Sequence, residues 1–165
     1  MRDVLDPVNP EGLRPAFTNI HRQLQRQRVL KGYQYLGAYL VSVDGTGQFS
    51  SNNVSCEDCC TRNLRNGEKK YYHQLLGAVI VHPDKSNVLP LFPEAITRQD
   101  GENKNDCERN ASKRLLPAEQ KDFSKLKIII VEDALASNAP HIRLIKELSR
   151  KLHTCFQTFR PCLSV

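Results

Sequence analysis

The chain is expected to fold as an α/β domain whose mixed sheet is flanked by helices. Three observations predict this class. Residues 35–43 and 71–81 are strand-length runs rich in aromatic and β-branched side chains. Residues 127–131, Lys-Ile-Ile-Ile-Val, form a short apolar run of the kind buried on both faces of a sheet. Segments of helical period lie before and after these runs. The implied order, helix, three strands, helix, strand, helix, combines a meander with a strand–helix unit and so calls for a sheet of mixed direction.

Residues 1–10 are polar and contain Pro7 and Pro10. From Glu11 to about Leu30 the residues Leu13, Phe17, Ile20 and Leu24 recur at helical spacing, opposite Arg22, Gln23, Arg26 and Gln27. Pro15 suits the first turn, where its missing N–H has no helical partner to lose. The first strand is expected to stop at Asp44-Gly45-Thr46-Gly47, and about residues 48–70, rich in Gly, Ser, Asn and charge, to form a cysteine-containing insertion. The second strand ends at His82-Pro83-Asp84, and Val88–Leu91 supplies a third, which by Pro90 and Pro93 is an edge or ends early. Residues 100–116 are polar and helix-compatible. After the apolar strand come Glu132 and Asp133, then Ser137 or Asn138 as the cap of a helix buried through Ile142, Ile145, Leu148 and Leu152. The organisation is therefore a helical segment (1–34), an α/β unit (35–152) and an atypical tail (153–165).

With 165 residues, 39% hydrophobic and 25% charged, the chain is long enough for one cored domain and too apolar for general disorder. Its apolar runs, residues 75–81 and 128–131 among them, are far short of the ~18 residues of a membrane span. Met1 is followed by Arg2, Asp3 and Asp6 rather than by the apolar region of a signal peptide, so a soluble cytoplasmic protein is expected. A net charge of +6 favours polyanionic partners, because each Lys or Arg that meets a phosphate releases a counterion. Arg62, Arg65, Lys69 and Lys70 in the insertion, and Arg109, Lys113 and Arg114 on the polar helix, are the candidate DNA-backbone contacts; a solvated face is the ordinary alternative.

Two acids stand where apolar runs end, Asp44 and Asp133. Carboxylates brought together on adjacent strands make a hard-oxygen site suited to Mg²⁺ or Mn²⁺, and a metal pair can stabilise both the attacking and the leaving oxygen of a phosphodiester. A turn aspartate and a helix cap are the bland readings of the same residues. Six cysteines in a chain with no sign of export point to reduced thiols. Cys56-x-x-Cys59-Cys60 offers half a zinc site, and Cys107, His73 and His82 are the other donors from which closure can come. Structural or incidental thiols are the alternative.

Other motifs are incomplete. Val43-Asp44-Gly45-Thr46 has the form of a haloacid-dehalogenase phosphatase motif, but Ser42 stands where its nucleophilic aspartate belongs. Gly45-Thr46-Gly47 lacks the lysine of a P-loop. Ile130-Val131-Glu132-Asp133 is similar to the start of a receiver domain, yet no later aspartate follows to accept phosphate, which leaves a truncated receiver-like domain as an alternative.

Longer stretches are more specific. Residues 42–51 (Ser-Val-Asp-Gly-Thr-Gly-Gln-Phe-Ser-Ser), 71–77 (Tyr-Tyr-His-Gln-Leu-Leu-Gly) leading into Val81-His82-Pro83, 99–102, 104–111 and 131–142 resemble segments of bacterial insertion-sequence DDE transposases. The similarity covers about residues 1–152. It implies a ribonuclease-H-like catalytic fold, with Asp44 and Asp133 as two of three metal-binding carboxylates. It also implies Mg²⁺ or Mn²⁺ as cofactor, insertion-sequence ends and target DNA as partners, and homo-oligomers in the intact family. The family's third carboxylate is a glutamate on a later helix, whereas the last acid here is Glu147, about 15 Å down the helix from Ser137. Residues 153–165 do not resemble the family's continuation, and residues 2–6 resemble an internal segment. The expectation is therefore a truncated, inactive transposase fragment, or a non-catalytic DNA-binding remnant or partner of an intact enzyme.

Overall fold

A long antiparallel ladder between Ala38–Ser51 (β2) and Lys69–Val81 (β4) carries the sheet, running from Leu40 opposite Val81 to Ser51 opposite Tyr71. The computed structural model describes residues 9–57, 59–101, 104–132 and 139–151. Alternation explains the ladder. Val41 faces Ile80 and Val43 faces Ala78 across it, and all four side chains are buried on one face. Leu40, Val79 and Val81 project to the other face and are only half-buried. Gln34–Tyr35 (β1) folds back on the start of β2 through Leu36 and Gly37, whose φ values of 50° and 78° make the two-residue turn that matches strand twist.

The remaining strands add to the edges of this pair. Cys60–Asn63 (β3), Glu94–Ile96 (β6) and Leu89–Pro90 (β5) line up in turn along one edge of β4, all antiparallel. Ile128–Val131 (β7) lies parallel to β2 on its opposite edge, from Tyr39 opposite Ile128 to Ser42 opposite Val131. The fold is thus mixed α/β, with a largely antiparallel sheet, one parallel strand and helices. Arg14–Arg26 (α1), Lys104–Asp122 (α2) and Ala139–Lys151 (α3) share a single core with the sheet's buried face. Among the described residues no helix is long and apolar enough to cross a membrane.

Helix α2 earns its place through Cys107, Ala111 and Leu115, spaced at i, i+4 and i+8 and at most 2% exposed. Truncating Leu115 to alanine would cost about 2–5 kcal/mol. Pro117 lies inside this helix, which nevertheless runs on to Asp122. The first helix is amphipathic in a way the sequence does not suggest. Leu13 and Ile20 are 54% and 57% exposed, and the buried position is His21, whose Nε2 lies 2.9 Å from the Pro90 carbonyl oxygen and whose ring meets Phe123 edge-on. Phe17 packs edge-on against Phe92, and Leu24 joins the core.

Three expectations are corrected. β2 does not stop at Asp44 but continues seven residues to Ser51, because paired β4 satisfies its backbone and outweighs the turn propensity of the glycines. The supposed insertion is consequently strand in part: residues 48–51 belong to β2, 60–63 to β3 and 69–70 to β4. β7 is half-buried throughout rather than covered on both faces, with Ile128 and Ile130 packed against the core. The expected caps Ser137 and Asn138, and residues 153–165, lie outside the described residues.

Candidate metal centre and the surface around Asp44

The sharpest convergence of chemical groups is at the far end of the β2–β4 ladder. The β3–β4 register sets Cys60 opposite Tyr72, so the preceding residue, Cys59, arrives beside His73. A bulge between Gly47 and Phe49 brings Phe49 opposite His73 from the other side. Cys56 is returned to the same point by a tight turn, in which the Cys59 N–H donates to the Cys56 carbonyl at 3.3 Å and the Cys56 N–H donates to Cys59 Sγ at 3.2 Å. The outcome is a triangle of soft donors: Sγ to Sγ 3.3 Å, Cys56 Sγ to His73 Nε2 3.2 Å, and Cys59 Sγ to His73 Nε2 3.3 Å. This group can hold a metal ion. Cys59 is buried, His73 half-buried and Cys56 exposed, so the group opens to solvent on one side. Burial pushes the Cys59 thiol up, while the Cys56 N–H and the Arg98 guanidinium act in the opposite direction. Arg98 Nε also donates to the Cys59 carbonyl oxygen and ties the turn to the end of β6.

The other donors suggested by the sequence go elsewhere. Cys60 is buried and its thiol points to the Ile96 carbonyl oxygen at 3.6 Å; burial pushes this thiol up as well. Cys107 Sγ donates to Gly101 O at 3.0 Å. His82 Nδ1 accepts from the Asp84 N–H at 3.2 Å, in the turn that closes β4.

Asp44 lies in mid-strand, exposed and opposite Gly77 of β4, and its Oδ1 accepts from the Gly45 N–H at 2.8 Å. The strand's next residue, Gly45, is covered by two long side chains. A Cβ at Gly45 would come within 2.1 Å of Glu108 Oε1 and 2.8 Å of Gln74 Nε2, which are themselves hydrogen-bonded at 3.2 Å. Asp133, the second acid suggested by the sequence, lies outside the described residues. β7 ends at Val131, opposite Ser42, two residues before Asp133 and Asp44 respectively. Glu147 is exposed on α3.

The basic groups divide. Arg62 and Lys70 face each other across the β3–β4 ladder, with Lys69 beside them and Arg65 in the connecting turn, and they make a cationic hairpin tip. Arg114 belongs to the fold: its guanidinium bonds both carboxylate oxygens of Asp100, at 2.6 and 2.9 Å, together with Glu94 Oε1 and Ala95 O. Burial by itself would raise the Asp100 carboxyl, but Arg114 and the Thr97 N–H outweigh it and hold the group below its ordinary value. Lys113 is exposed and donates to Asn110 Oδ1, and Arg109 is half-buried on the same helix.

Two buried polar groups escape a sequence reading. His141 is 5% exposed, with Nε2 at 2.5 Å from Glu132 Oε2 and Nδ1 at 3.3 Å from Ser112 Oγ. The serine–histidine–glutamate order suggests a nucleophile, but Ser112 is 2% exposed and its hydroxyl donates to Arg109 O at 2.7 Å, so the chain braces α3 against α2 and the end of β7. The available signal was positional, since His141, Ile145 and Leu148 fall on one helical face. Glu119, 5% exposed, has no hydrogen-bond partner on either carboxylate oxygen; Arg14 Nη1 is 3.8 Å away. Comparison with protein-family models, curated proteins and solved structures found no match to this chain.

Proposed function

We propose that this chain is the catalytic portion of a metal-dependent DNA transposase of the DDE kind, built on a ribonuclease-H-like sheet. One observation carries the reading. β7 runs parallel to β2 with a constant offset of 89 residues, from Tyr39–Ile128 to Ser42–Val131, and 89 is also the separation of Asp44 and Asp133 (133 − 44). The topology supports it further: β2 and β7, the strands that lead to Asp44 and Asp133 in the sequence reading, are neighbours in the sheet. The long sequence motifs around both acids point the same way.

An exposed aspartate on a rigid ladder suits a hard divalent cation, and Asp44 and Asp133 are the residues that would hold it. Bound there, Mg²⁺ would supply charge stabilisation for the attacking and leaving oxygens of a phosphodiester. Asp44 is fixed for this task by the β4 ladder and by the Gly45 N–H on its Oδ1. In an intact enzyme of this kind the substrate would be DNA ends, cut by water and then joined through the freed 3′-hydroxyl to a target strand. Arg62, Arg65, Lys69 and Lys70 at the hairpin tip would follow the phosphate backbone without reading sequence.

The test is duplex-DNA binding by fluorescence anisotropy at low salt, with Ca²⁺ as a non-catalytic stand-in and with EDTA. The reading predicts non-specific binding in the ~10⁻⁴–10⁻⁶ M range, strengthened by Ca²⁺ in the native chain but not in Asp44→Asn or Asp133→Asn. Equal Ca²⁺ enhancement in all three proteins would refute it.

A further inference from the structure

We propose that Cys56, Cys59 and His73 form a zinc site that pins the segment before β3 to β4, and that a water molecule completes it. The inference rests on the donor geometry and is independent of any reaction at Asp44. A zinc ion with Zn–S near ~2.3 Å and Zn–N near ~2.0 Å in a tetrahedron sets its sulfurs about 3.8 Å apart and each sulfur about 3.5 Å from the nitrogen. The three separations here are 3.3, 3.2 and 3.3 Å. Seating an ion therefore asks each donor to move outward by only a few tenths of an ångström. The three atoms already outline one face of a tetrahedron, and the ion sits over that face.

Three further features favour a metal over a disulfide or incidental contact. The sulfurs are 3.3 Å apart, well beyond the ~2.05 Å of a disulfide bond, and both cysteines are free. The third donor is an imidazole nitrogen aimed at both sulfurs, which a redox pair does not need. The Cys56 N–H points at Cys59 Sγ at 3.2 Å, a contact that strengthens when that sulfur is a thiolate. Binding releases the two thiol protons to solvent and leaves Cys56 and Cys59 as thiolates and His73 as a neutral ligand through Nε2. The three ligands come from two places in the chain, a turn and a strand, so the ion would cross-link the turn that carries Cys56 and Cys59 to β4. The consequence is mechanical: the cationic hairpin of Arg62, Arg65, Lys69 and Lys70 starts one residue beyond Cys59 and would be held in place by the metal.

The experiment uses the full chain, purified under reductant and loaded with Zn²⁺ or Co²⁺. The expected result is about one zinc per chain by elemental analysis. The zinc absorption edge should report two sulfur and two lighter ligands, and Co²⁺ should give tetrahedral visible bands with thiolate charge transfer. Cys56→Ser, Cys59→Ser and His73→Ala should each lower the affinity at least ~10-fold, whereas Cys60→Ser and Cys107→Ser should retain it. Should a ligand variant fail to fold, amide exchange on the native chain decides: removing the metal should speed exchange at residues 52–63 and leave β7 unchanged. Substoichiometric zinc after loading, a spectrum with one, three or four sulfurs, a persistent Cys56–Cys59 disulfide, or exchange at 52–63 indifferent to chelator would each overturn the proposal.

Discussion

A carboxylate buried without hydrogen bonds makes stability depend on pH in a definite direction, and Glu119 is such a group. Burial pushes its carboxyl from 4.5 up to about 8, opposed by Arg14 and reinforced by Asp122. Between these values the folded protein keeps a proton that the unfolded chain has lost, so stability falls as pH rises, at ~1.4 kcal/mol per pH unit. The favourable contribution is complete below 4.5 and gone above about 8, a span worth about 5 kcal/mol. Glu119→Gln removes the ionisation while keeping the shape. Arg14 is not orphaned by the change, because it retains Glu11 at 3.0 Å and Asp122 at 3.2 Å. The assay is urea unfolding of both proteins at intervals from pH 5 to pH 9. The variant should match the native chain at pH 5 and exceed it by several kcal/mol at pH 9, with most of the divergence before pH 8. Parallel profiles for the two proteins would refute the reasoning, since they would mean that Glu119 is solvated or paired in the fold.

Other substitutions probe the remaining buried polar groups. His141→Ala strips Glu132 of its 2.5 Å partner and should cost about 3 kcal/mol in denaturant unfolding, while Ser112→Ala should cost about 1; equal losses would contradict the brace described above. Asp100→Asn breaks the paired bonds to Arg114 and should cost about 3 kcal/mol at neutral pH. Because the folded carboxyl is held below its ordinary value, that stability is present above the ordinary carboxylate range and lost as pH falls through the folded value, so acid titration of unfolding should bring the two proteins together. Gly45→Ala drives a methyl group into Glu108 and should cost about 1 kcal/mol, a loss that shrinks in a Glu108→Ala background if the contact is its source.

Much of the fold is legible in the sequence because strand alternation and helical period are local. Tyr39, Val41 and Val43, the run to Val81, and Ile128–Val131 fall in strands as their patterns suggest. What the sequence hides depends on distant partners. Asp44-Gly45-Thr46-Gly47 has turn composition, yet β4 supplies a ladder for it, and the glycine at 45 answers to Glu108 on a helix 63 residues later (108 − 45). Glu94–Ile96 is missed because it follows Pro93 and is too short to show alternation. His21 and His141 read as polar surface, and only Pro90 O, Ser112 and Glu132 explain their burial. At the metal centre the Cys-x-x-Cys pair is visible in sequence, but the choice of His73 over Cys60 and Cys107 is made by the β3–β4 register.

The central claim, that Asp44 and Asp133 serve one divalent cation, is tested most directly by crystals grown with Mn²⁺ and an anomalous difference map at the manganese edge. The account predicts a peak with carboxylate oxygens of both residues at about 2.0–2.6 Å, abolished in Asp44→Asn. A map without that peak, or with manganese bound elsewhere while the two carboxylates lie on separate parts of the sheet, would contradict it.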